Sequence, residues 1–161
     1  MDVLYYIILL PIVAGIILFL LPERLKAIKA LFALIVSIIV LYLGFVVYGY
    51  QPQTIQLSLV PENAADGSLV HQLLVGAGQY LTLNIDPLSQ LITLFVGGFA
   101  VVIAIYSSRS VHRGKKIYHF YPFFLITLGC AIGAVLADNL LLFILFWGIL
   151  GFTLYKLIKG Q

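Results

Sequence analysis

The sequence predicts an all-α integral membrane protein. It should have five transmembrane helices, the N-terminus outside, the C-terminus cytoplasmic, and a short extracytoplasmic β-hairpin between helices 2 and 3. Three observations carry this. The 161 residues are 63% hydrophobic and 9% charged, with a mean hydropathy of +1.13, well outside soluble globular composition. Five apolar runs reach about 20 residues, the length that crosses a hydrocarbon core. The nine Lys and Arg residues gather in three places that five alternating helices put on one side.

The runs lie at about 3–22, 29–50, 87–107, 118–136 and 139–158, forming one membrane domain over 1–161. Lipid offers the backbone no hydrogen-bond partner, so unpatterned apolar runs close their own bonds as helices rather than as barrel strands. The first run opens on Asp2 without a positive n-region, and is expected to be retained as a helix rather than cleaved as a leader. Arg24, Lys26 and Lys29 follow helix 1; Arg109, Arg113, Lys115 and Lys116 follow helix 3; Lys156 and Lys159 end helix 5. Asp2, Glu62, Asp66, Asp86 and Asp138 fall on the other side, and only Glu23 sits among the bases. The positive-inside rule then sets the orientation. Tyrosines near the run ends fit interfacial belts.

The long outer loop, 51–85, holds two alternating stretches, Thr54–Val60 and Tyr80–Ile85, around a turn-rich segment, which predicts the hairpin. Asp86-Pro87 reads as an N-cap followed by proline at the first helical position. Gly129, Gly133 and Ala137 at a spacing of four, and Gly148 with Gly151 on helix 5, suit close packing inside a bundle.

Few groups could carry chemistry. Asp86 and Asp138 stand at outer helix boundaries, where a carboxylate can cap a helix or flank an ion path. His119 and His112 lie beside the basic cluster and His71 in the outer loop, at no metal-site spacing; a proton antenna at His119 is the functional reading. Lys156 can snorkel to headgroups. Cys130 is the one cysteine, which excludes an intrachain disulfide and a cysteine metal cluster. No phosphate loop, nucleophile with a base, or carboxylate pair is visible, so no catalytic residue, metal site or cofactor is expected in this chain. The basic residues follow topology, not nucleic-acid binding.

Three stretches carry a resemblance. "LADNLLLFILFWGILG" at 136–151, "LNIDPLSQLITLFVGGFAVVIAIYS" at 83–107 and "YHFYPFFLITLGCAIGAVLADN" at 118–139 resemble helices 5, 3 and 4 of the antiporter-like subunits of respiratory complex I, membrane-bound hydrogenases and multisubunit cation/proton antiporters. The resemblance implies a unit of about fourteen helices built from inverted five-helix repeats, with ions handled at mid-membrane between repeats. The family's helix 5 carries a glutamate beside a tryptophan; here Gly148 follows Trp147. The sequence ends at Gln161, before the helices that would bring the family's channel lysines, and Lys156 lies about two turns from Gly148.

The expectation is therefore a non-catalytic, split or reduced antiporter-like subunit in the membrane arm of a redox-driven, complex I-related translocase in the cytoplasmic membrane. Its partners would be lipid and other membrane-arm subunits, one supplying the remaining helices. Iron-sulfur, flavin or nickel-iron groups would belong to partner subunits of an NADH dehydrogenase-like or hydrogenase-type complex. The alternatives are a subunit of a non-redox cation/proton antiporter or inorganic-carbon uptake complex, and a small helical scaffold or assembly factor.

Overall fold

The computed structural model describes residues 2–22, 26–56, 82–110 and 119–159. These form α1 (Asp2–Leu20), α2 (Lys26–Tyr48), β1 (Gln53–Gln56), β2 (Thr82–Ile85), α3 (Pro87–Ser110), α4 (Phe120–Leu136) and α5 (Leu140–Lys159). The chain is a mostly helical, multi-pass integral membrane protein. Four helices have the length and apolarity to cross a bilayer; α4, with 17 residues, is shorter.

The helix ends have local causes. α1 stops at Leu20, just ahead of Leu21-Pro22, because the residue before proline is steered away from helical geometry. α2 begins three residues earlier than its apolar run, so Lys29 lies inside its first turns rather than at the boundary. At its other end the amides of Gly49 and Tyr50 donate to the carbonyls of Val46 (3.2 Å) and Val47 (3.0 Å), tightening the last turn. α3 runs on to Ser110, and the Ser107 and Ser108 hydroxyls bond back to Ala104 O (3.1 Å) and Ile105 O (2.7 Å). β1 and β2 pair antiparallel from Gln53↔Ile85 to Gln56↔Thr82. The rest of the expected hairpin, with His71, Glu62 and Asp66, lies outside the described residues, as does His112.

Packing between helices is set by small residues. A Cβ built at Gly129 would sit 2.8 Å from Ile8 O of α1, and one at Gly15 would sit 2.8 Å from Pro122 O of α4, so this pair is joined backbone to backbone. Gly133 instead receives the ring of Phe146 from α5. On α2 and α3, Gly97 abuts the Leu41 backbone and Gly44 faces Leu94. These pairings run antiparallel throughout, and α4 touches α1, α2, α3 and α5, so it forms the centre. Ten of its 17 residues are buried.

The expected smooth face of helix 4 thus divides between two neighbours, while Ala137 instead forms an isolated bridge with Leu83 of β2. The expectation that Gly148 and Gly151 pack inside the bundle is corrected. No atom lies within 4 Å of a Cβ built at either, among the described residues. Their face of α5 points away from α4, against which the helix buries only Leu142 and Thr153. Antiparallel alternation collects Lys29, Arg109, His119, Lys156 and Lys159 at one end, the basic end. Asp86, Asp138 and the two strands occupy the other, the ladder end.

Candidate functional site

At the ladder end, Asp86 closes α3 by a reciprocal cap. Its Oδ1 accepts the Ser89 amide at 3.0 Å, while Ser89 Oγ accepts the Asp86 amide at 3.0 Å. The hydroxyl and amide of Ser89 hold the Asp86 carboxyl below its ordinary value of 3.8. Asp86 therefore stays ionised as a cap, the local arrangement that Asp-Pro-Leu-Ser encodes.

Asp138 does not cap α5. Asn139 does: its Oδ1 accepts the Leu141 amide at 3.0 Å and its carbonyl accepts that of Phe143 at 2.9 Å. The Asp138 side chain is exposed, and its amide donates to Thr82 O at 2.9 Å. Through β2 the structure brings Asp86 and Asp138 to the same end, one directly after the strand and the other hydrogen-bonded to it.

His119 and Lys156 lie at the opposite end. His119 is exposed at the N-cap of α4 without a side-chain cap bond, its ring 5.5 Å from that of Phe19 and 6.5 Å from that of Phe123. Lys156 is exposed, its ammonium 5.6 Å from the Phe152 ring centre, and Lys159 repeats this over Tyr155. Such contacts hold a cation against apolar surface while its head stays near headgroups. Gly148 stands between the ends on the outward face of α5. The five residues singled out from sequence do not converge, and among the described residues no three His, Cys, Asp or Glu side chains gather for a metal.

Two polar residues escaped the sequence reading. Gln90 is buried, and its Nε2 donates to Val47 O at 3.1 Å and Tyr50 O at 2.9 Å, locking the start of α3 to the end of α2. Lys29 is only 4% exposed. A signal for both existed: each falls on the stripe of its helix that also carries the small residues, Lys29 with Ala33 and Ser37, Gln90 with Thr93 and Gly97.

The described bundle has a polar cap network at one end, cations at the other, and lipid-facing apolar helices between. This defines a class, the multi-pass helical membrane unit with no Asp, Glu, His, Lys or Arg at mid-depth among the described residues. No family model matches the chain. It is similar to the Na(+)/H(+) antiporter subunit A1 of Staphylococcus haemolyticus, 26% identical over 161 residues, which is 99% of this chain and 19% of that protein. The subunit A1 of Staphylococcus aureus is 29% identical over 82 residues, 51% of this chain and 10% of that protein. The chain thus spans about a fifth or less of the length of the curated relatives it matches.

Proposed function

We propose that this chain is a membrane subunit of a multisubunit cation/proton antiporter, contributing a five-crossing helical scaffold rather than the ion route itself. The observation that carries the reading is the similarity of 99% of this chain to about a fifth of an Na(+)/H(+) antiporter subunit A1. The scaffold role follows from the interior, where α4 is packed against apolar neighbours and Gly148 offers no carboxylate. On this reading the chain sits in the cytoplasmic membrane with its basic end inward. Further helices of the assembly cover the outward face of α5 and carry its titratable groups.

This reverses the order reached from sequence, where the redox-driven arm stood first. The redox reading keeps one support, the resemblance of residues 83–151 to helices shared by both kinds of complex. One experiment separates them. Everted vesicles from cells with and without this chain should differ in proton release on addition of sodium or potassium. The purified complex should carry no iron-sulfur absorbance. Exchange that persists unchanged without the chain would refute the antiporter reading, and a donor-reducible iron-sulfur spectrum in the complex would favour the redox one.

A further inference from the structure

The joint between α1 and α2 is packed unlike the others. Elsewhere helices meet through glycine: Gly15 and Gly129 bring α1 to α4, Gly97 brings α3 to α2, and Gly133 takes a ring of α5. Among the described residues no glycine serves the α1–α2 joint, since Gly15 faces α4 and Gly44 faces α3. An open groove of about 310 Å³ runs between the two helices instead. Ala14 and Val36, both buried, form its floor. Val13 and Ile17 on α1, with Ile35 and Ile39 on α2, form its exposed rims. Among the described residues no polar side chain lines it.

Depth, continuity and stiffness select the occupant. The groove begins at Leu10, half-way along α1, and reaches Ile17, one turn from that helix's basic end, a length of about 10 Å. In a helix that crosses the bilayer, this is the hydrocarbon of the leaflet at the basic end. The rims continue into lipid-facing surface, Leu9 and Ile16 on α1 and Leu31 and Ile38 on α2, so the groove opens sideways to acyl tails. The cations at this end, Arg109, Lys156 and Lys159 among them, favour phospholipids with anionic headgroups in that leaflet. A partner helix fits poorly. Close helix contacts in lipid rely on small residues that let backbones approach, whereas these rims are all β-branched and Ala14 lies below them. Val and Ile hold one strongly preferred rotamer in a helix, so the rims stand fixed and do not swing in to close the groove. Apolarity alone gives no preference for the groove over bulk lipid, because tails are as apolar as the helix surface. Fit decides: an empty groove forfeits dispersion contacts along its lining, and an extended tail restores them.

We infer that the α1–α2 groove is a binding site for one acyl tail of a phospholipid from the leaflet at the basic end. The tail is held by shape within the hydrocarbon, while the headgroup stays in its own layer. The inference stands independently of the transport reading.

The test reconstitutes the full chain with dioleoyl phosphatidylglycerol, extracts it in a neutral detergent and reads retained lipid by native mass spectrometry. The expected result is one phospholipid per chain, displaced by lysophosphatidylglycerol, which has one tail, and not by glycerophosphoglycerol, which has none. Ala14→Phe, which fills the groove from its floor, should lower retention at least fivefold. Ile35→Phe should do the same from the rim, without disturbing a buried position. Ile38→Phe, on the open face beside the groove, should change it little. In native membranes, photoactivatable benzoylphenylalanine in place of Ile35 should cross-link to lipid. Displacement by glycerophosphoglycerol would overturn the tail as the bound part. Equal loss in Ile38→Phe, or full retention in both groove variants at unchanged Tm, would reduce the lipid to an annular one and overturn the site. Cross-linking to protein in place of lipid would give the groove to a partner helix and overturn the proposal.

Discussion

Single residues in this bundle differ sharply in what they can lose. Asp86 accepts the Ser89 amide, so Asp86→Ala should cost about 1 kcal/mol, seen as faster hydrogen exchange at the first amides of α3. The pH dependence has a definite sign. A carboxyl whose folded value is depressed contributes stability above its unfolded value of 3.8, and that contribution is lost as pH falls through the lower folded value. Wild-type α3 should therefore fray in acid, and Asp86→Asn should flatten that slope. Gly148 behaves in the opposite way. With open space around it, Gly148→Ala should leave the Tm unchanged. Gly148→Glu should cost about 3 kcal/mol of insertion in a glycosylation-based assay of this chain alone, because the acid stands unpaired on the open face of an apolar helix. If it inserts freely in native membranes, a cation from another helix must meet it there. The Asp86 cap was legible from Asp-Pro-Leu-Ser, since its partners are three residues apart. The choice of Asn139 over Asp138 was not, because two adjacent cap-forming residues differ only in which one leaves the helical conformation first.

At the level of helices, the joints are of two kinds. Where backbones meet, as at Gly129, one methyl is too many. Gly129→Ala would place its Cβ 2.5 Å from Ile12 Cγ1 and should destabilise the α1–α4 pair by about 2 kcal/mol, whereas Gly98→Ala should be neutral, having nothing within 4 Å among the described residues. Where polar groups meet, the partner matters. Gln90→Leu strands the Tyr50 carbonyl and removes one of the two donors to Val47 O, which keeps the Tyr50 amide, and should cost about 1 kcal/mol, measured by refolding from denaturing detergent. The Thr127–Thr153 bond of 2.8 Å is the corresponding link between α4 and α5. Hydropathy located each of the described helices to within three residues, because length and apolarity are local properties. Which face meets which neighbour is not local. The small residues of α4 marked a close approach, yet nothing in their spacing divided them between α1 and α5, or turned Gly148 and Gly151 outward.

For the molecule as a whole, the segregation of charge to opposite ends is the strongest constraint, and it tests directly. With Cys130 buried and inert, a cysteine introduced at exposed Asp138 should react with an impermeant maleimide on intact cells, and one at exposed His119 only after permeabilisation. The reverse pattern would invert the proposed orientation. The two ends were readable from sequence because the nine cations gathered in three places, after helices 1 and 3 and at the end of helix 5. The enzyme class of any surrounding complex was not, since the stretches that carry the resemblance serve redox-driven and cation-driven assemblies alike. α5 is also the least buried of the long helices, with 11% of its span buried against 33–39% for the others.

The shortness of α4 has a consequence for the surrounding bilayer. At 17 residues it measures about 26 Å, yet it stands in the middle of the bundle, ringed by longer helices that meet the lipid tails. Hydrophobic mismatch is therefore felt by the ring and not by the hub. Thicker or thinner membranes should re-tilt α2 and α3 while leaving the central helix in register, so this unit can keep one internal geometry across membranes of different thickness.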